Sequence, residues 1–245
     1  MTQPSDKMLE KIRKMLALAE DPAATPAEAE AFTAKATDLM AQYGIERAML
    51  AASDPTLDVI GDKIVVIEGN YALDKQRLLD SVAQALGAKC VLRTRYPNGK
   101  RQYQVHIFAY GSDLERIEML FTSLLVQVAN GLAQAQAPYW ENPTTFRKSW
   151  IDGFRIAIYH RLREAEERAK KQAEESAKPG GPSVALVLVD RAQLVKAKRD
   201  QEYGKLSKSR QRTLNGSGVR AGYQAGQRAD LGGTRVGGGR RSLSR

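Results

Sequence analysis

The sequence has 245 residues but only one cysteine, Cys90, and two histidines, His106 and His160. A single thiol excludes an intrachain disulfide framework and fits a reducing, cytoplasmic setting. Neither histidine has a second histidine or a cysteine at ligand spacing, so no metal centre and no cofactor is expected. No run approaches the ~20 apolar residues that a membrane span needs. The start, Met1 to Asp6, lacks a charged-then-apolar targeting pattern. There is no G-x-S-x-G elbow. Gly237-Gly238-Gly239-Arg240 has neither the lysine nor the preceding strand of a phosphate loop.

What is present centres on Lys89 to Gln136. Cys90 to Tyr96 and Gln102 to Tyr110 read as strands flanking Pro97-Asn98-Gly99-Lys100, and Asn-Gly is a strong hairpin signal because both residues tolerate positive φ. A long helix follows, with Ser112 and Glu115 spaced as a capping box. Ile117, Leu120, Phe121, Leu124, Leu125, Val128 and Leu132 form its apolar stripe. Upstream, Ile64 to Ile67 predicts a strand and Leu73 to Leu86 a helix. The order strand, helix, strand, strand, helix fits an α+β layer arrangement.

The first 52 residues predict a helical hairpin. Leu9, Ile12, Met15, Leu16 and Ala19 line the first helix, with Lys7, Lys11, Arg13 and Lys14 on its other faces. Thr25-Pro26-Ala27-Glu28 starts the second, which is expected to stop at Tyr43 with Gly44 as a left-handed cap. A short third helix is expected over Ile45 to Ala52. The segments Lys11-Ile-Arg-Lys-Met-Leu-Ala-Leu-Ala-Glu20, Pro26 to Lys35 and Leu39-Met-Ala-Gln-Tyr-Gly-Ile45 resemble the amino-terminal hairpin of an uncharacterised family found in bacteria, especially actinobacteria, and their phages. Members commonly carry a second uncharacterised domain. Tyr110 to Arg116, Trp150 to Phe154 with Arg161-Leu162, Ala185 to Asp190 and Gly222 to Leu231 look like that domain. The resemblance implies a phage or phage-derived origin and brings no catalytic residue.

Asn142-Pro143 predicts a helix start, with Phe146, Trp150, Phe154, Ala157, Ile158 and Leu162 inward. Beyond Arg163 the stripe fades into Glu, Lys, Arg, Gln and Ala. Pairs such as Glu166 with Lys170 and Glu167 with Lys171 are expected on a solvated helix. Val184 to Val189 is a continuous apolar run, read as a strand covered on both faces. The expected fold is therefore α+β: an N-terminal α-helical hairpin (1–52), a core of a small mixed β-sheet packed by long helices (57–190), and a basic Gly/Arg-rich C-terminal extension (191–245).

Charge is the main functional signal. Residues 191–245 hold fourteen Lys or Arg and three acids, leaving the rest with 24 basic and 25 acidic residues out of totals of 38 and 28. A neutral body with a strongly basic end implies a polyanionic partner. Lys205, Lys208, Arg210, Arg212, Arg220, Arg228, Arg235, Arg240 and Arg241 are the expected phosphate contacts, since Lys and Arg neutralise phosphates without sequence order. Tyr203 and Tyr223 are interleaved and suited to stacking on unpaired bases. A helix over Val219 to Leu231 would present Gly222, Ala225, Gly226 and Ala229 to a closely approaching backbone. The function expected is sequence-nonspecific binding of DNA or RNA. A homo-oligomeric assembly protein is the first rival. A magnesium-dependent nuclease using Asp190 with Asp113, Glu115 and Asp152 is the second.

Overall fold

The computed structural model describes residues 4–19, 26–177, 181–204, 206 and 214–229. The chain folds as α1 (Pro4–Ala19), α2 (Pro26–Ser53), β1 (Ile60–Ile67), α3 (Ala72–Ala85), β2 (Lys89–Arg95), β3 (Gln102–Tyr110), α4 (Gly111–Gln134), α5 (Pro143–Glu175), α6 (Val184–Tyr203) and α7 (Val219–Arg228). This is the α+β arrangement that the patterning predicts. The three strands are in the order β1-β3-β2, with β1 and β2 each antiparallel to β3.

The hairpin turn follows its local chemistry. Asn98 and Gly99 take φ of 51° and 73°, which reverses the chain between β2 and β3. Val105 and Ile107 point to the sheet face covered by α3 and α4, and both are buried there with Leu79, Leu120 and Leu124. Leu9 and Ile12 of α1 and Met40 of α2 enter the same core, as do Trp150, Phe154 and Ile158 of α5. Asn142 caps α5 as expected, its carboxamide oxygen accepting from the Thr144 amide at 2.8 Å.

Four local expectations are corrected. α2 does not stop at Tyr43; it runs to Ser53 and absorbs the short third helix. Gly44 is there because the Arg116 side chain crosses it, and a Cβ would collide with the guanidinium. Ser112 does not cap α4. Asp58, 54 residues upstream, takes that role, accepting from the Ser112 amide at 3.0 Å and its hydroxyl at 2.7 Å. Val184 to Val189 is the start of α6, so the sheet has no strand from that run and is antiparallel throughout. The Ser183 hydroxyl and the Glu174 carboxylate accept from the Leu186 and Ala185 amides and fix the helix start. Val184, Arg191 and Val195 then face inward, while Leu186 and Val189 face solvent. A short apolar run fits either state, and the cap decides this one. Residue 190, where the core was expected to end, lies inside this helix.

The polar half of α5 is also more engaged than expected. Ala165 and Ala169 are buried. Glu166 pairs with Arg116 of α4 instead of Lys170, and Lys171 lies near Glu175 at 3.9 Å instead of Glu167.

Candidate nucleic-acid interface

The expected contacts Lys205, Lys208, Arg210, Arg212, Arg235, Arg240 and Arg241 lie outside the described residues. Arg220, Tyr223 and Arg228 lie on α7. The sequence builds this helix with two unlike faces. Gly218, Gly222 and Gly226 recur every four residues and pack on α5, where Gly153 answers them. A Cβ on Gly226 would stand 2.6 Å from the Ala157 methyl, and one on Gly153 would stand 2.8 Å from the Tyr223 amide. The backbone that the small residues admit is thus that of a core helix. The Arg161 guanidinium donates to the Gly226 carbonyl at 2.8 Å, a cation placed at the negative end of the helix.

That clamp turns the remaining residues outward. Arg220 and Arg228 are exposed and make no carboxylate pair among the described residues. The Tyr223 ring is partly exposed, its hydroxyl accepting from Gln227 at 3.0 Å. Ser217, just before the helix, donates its amide to Glu141 at 3.1 Å and ties α7 to the loop before α5. That loop holds two aromatics that the charge argument passed over: Tyr139 is 96% and Trp140 is 73% exposed, with ring centroids 4.8 Å apart at 86°. Their signal in the sequence is the frame Pro138-Tyr-Trp-Glu-Asn-Pro143, since a loop between prolines has no core face.

Other members of the basic extension are not free. Arg191 is buried; it donates to Asp58 at 2.7 Å, lies 3.5 Å from Asp113 and covers the Tyr110 ring with its guanidinium carbon 3.4 Å from the centroid. Arg199 pairs with Asp200, and Lys198 reaches Asp62 at 4.0 Å. Tyr203 is not a stacking platform. Its hydroxyl bonds His106 Nδ1 at 2.7 Å, and Asp62 takes the other ring nitrogen at 2.9 Å. His106 is thereby a buried tie between the sheet and the end of α6.

The strongest charge cluster lies under the start of α4. Arg116, fully buried, is held by Asp113 at 2.8 Å and by Glu166. Burial opposes its charge, but Glu166 and Asp113 outweigh that and hold its pKa above the ordinary value. Burial pushes Glu166 up, against the pull of Arg116. With Arg191 this cluster lines a cavity of about 240 Å³ whose rim carries Arg163 and Lys170. Each carboxylate already faces a guanidinium, so the cluster suits locking α4, α5 and α6 together more than chemistry.

The acids expected to hold magnesium do not converge. Asp190 and Glu115 are exposed, Asp152 pairs with Arg155 at 2.8 Å, and Asp113 belongs to the buried cluster. Among the described residues no group of three His, Cys, Asp or Glu is placed to hold a metal ion. Cys90 is a strand residue whose thiol burial pushes well up, with Asp80 adding to the effect.

A family described as a protein of unknown function (DUF2786) matches residues 7–47, the α1–α2 hairpin. The match bears on that segment alone. No curated protein and no solved structure matches the chain. Among the described residues no helix is long and apolar enough to cross a membrane.

Proposed function

We propose that the protein binds nucleic acid without sequence preference, as an accessory protein of phage or mobile-element origin in the cytoplasm of a bacterial host. The observation that supports this is α7: one face clamped to α5 through glycines, the other offering Arg220, Tyr223 and Arg228 without carboxylate partners. The flanking sequence adds cations on both sides, from Lys205 to Arg212 and from Arg235 to Arg245. Contacts of this kind release counterions, so affinity falls steeply with salt and is shared by DNA and RNA. The test is fluorescence anisotropy of a labelled oligonucleotide across a salt series, with the intact chain. Neutralising Arg220 and Arg228, and separately Arg235, Arg240 and Arg241, is expected to weaken binding and flatten the salt dependence. Affinity indifferent to salt refutes the reading. Deleting residues 205–245 is a poor test, because it also removes α7 and bares the face of α5 that α7 covers.

A second reading, a homo-oligomeric assembly protein, is favoured by exposed apolar side chains on α6 and near it. Leu186, Val189 and Leu194 are 66%, 52% and 54% exposed, and Val59 is 63% exposed. A mass from light scattering well above 27.0 kDa without nucleic acid, lost on Leu186→Asp, supports it. A monomer at high concentration dismisses it.

A further inference from the structure

From Ser81 to Ser112 the sequence contains no Asp or Glu, and its five Lys and Arg, Lys89, Arg93, Arg95, Lys100 and Arg101, all lie on the β2–β3 hairpin. None of the five enters a salt bridge among the described residues. Arg95, Tyr96, Lys100 and Arg101 are exposed, and the Arg101 guanidinium lies over the Tyr96 ring at 5.8 Å. The Arg93 Nε is buried without a hydrogen-bond partner. The hairpin is rigidly mounted: Gln76 of α3, buried, donates to the carbonyls of Arg93 at 3.1 Å and Gln104 at 2.7 Å. On the sheet face away from α3, Tyr203 closes α6 over His106 and Phe108, leaving the end at Arg93, Arg95 and Gln104 more open.

The topology gathers further groups at this end. α4 starts where β3 stops, passes Lys63 of β1 through Glu118 at 2.7 Å, and reaches Val65 and Val66 with Phe121 and Leu125. It therefore runs back toward the hairpin turn. α5 begins after the reversal, with Trp150 packed on Gly131. The turn between β2 and β3, the Tyr139–Trp140 loop and the first turns of α5 and α7 thus share one end of the molecule. The exposed cations Arg147 and Arg220 are at that end too. Of the acids nearby, Glu141 is occupied by Ser217, Asp74 is buried, and Glu68, exposed, lines one pocket with Lys100 and Arg101 without closing a salt bridge to either.

We propose that this end is a folded binding surface for single-stranded nucleic acid, with phosphates on Arg95, Lys100 and Arg101 and unpaired bases on Tyr139 and Trp140. It rests on the nucleic-acid reading above and adds the strand type and a surface outside the basic extension. Unpaired cations supply the sequence-neutral attraction. Two aromatics standing in solvent at right angles each offer a ring face, and every unpaired base has a face to match. Duplex bases are stacked on each other and have none to give.

Trp140 supplies the readout, because the other tryptophan, Trp150, is buried at 3% exposure. The intact chain is titrated with an oligothymidylate of about 20 nucleotides and with a duplex of equal length, following anisotropy and tryptophan fluorescence. Circular dichroism checks that each variant is folded. The single strand is expected to quench the fluorescence. The R95E/K100E/R101E variant is expected to bind at least about tenfold more weakly and to lower the salt slope by about two, since each single-strand phosphate contact contributes about 0.7. Trp140→Ala is expected to cost about tenfold on the single strand, with the duplex unchanged. If the intact chain binds and the hairpin variant binds equally well, while neutralising Arg235, Arg240 and Arg241 abolishes binding, this surface is wrong and the broader reading stands. Preference for the duplex with Trp140 unquenched also overturns it. If the intact chain binds no nucleic acid at about 50 mM salt, both readings fall.

Discussion

The two ends of the sheet use the same residue types in opposite ways. Where β3 runs into α4, Arg116 and Arg191 are buried and answered by Asp58, Asp113 and Glu166. At the hairpin end, Arg93, Arg95, Lys100 and Arg101 form no salt bridge among the described residues, and the acid beside them, Glu68, is exposed. A guanidinium at the first end is a joint between helices. One at the second keeps its attraction for something outside the chain. Sequence composition sums the two, so net charge alone overstates one end and hides the other.

The sharpest way to break this contrast is at Asp58. It accepts from Ser112 and Arg191 at once, so Asp58→Ala removes a helix cap and the nearer carboxylate of a buried cation, leaving Arg191 with Asp113 at 3.5 Å. Such a loss costs about 3–5 kcal/mol, read as a shift in the urea midpoint. Gly222→Ala is next. Its Cβ would press on the Trp150 backbone, and overpacking of this kind costs about 1–3 kcal/mol. It would show that α7, the carrier of Arg220 and Arg228, is held by close backbone contact and not by charge. At the hairpin end, Arg95→Ala should leave stability within about 0.5 kcal/mol of wild type. If it costs as much as Asp58→Ala, the contrast collapses.

The smallest effect concerns pH. The Ala185 amide, then the Ser183 hydroxyl, hold the Glu174 carboxyl below its ordinary range. A depressed folded pKa gives support that is present above the unfolded value and lost as pH falls through the folded one. The start of α6 should therefore loosen in acid, below about pH 4.3, seen as faster hydrogen exchange at Ala185. Glu174→Gln should remove that pH dependence.

Features set by neighbours in sequence were readable in advance. Asn98-Gly99 reverses β2 into β3, Asn142 starts α5, and the stripe of α4 is buried where its spacing places it. Features set at a distance were not. The partner that replaces the capping box is Asp58, far upstream, and Gly44 answers a side chain from α4. The apolar run at Val184 satisfied a strand rule and a helix rule equally until Ser183 and Glu174 decided it. Of the proposed interface, Arg220, Tyr223 and Arg228 follow from charge and aromatic spacing in the sequence. The hairpin cations are dispersed among strand residues, and only folding shows that no acid closes a salt bridge with them.

The glycine seam between α5 and α7 has a topological consequence. Because α7 is docked, the chain between Gly204 and Leu214 is attached to the body at both ends. A protease that cuts there would release nothing, because α7 keeps the fragment that carries it seated on α5, and the nick would show only after unfolding.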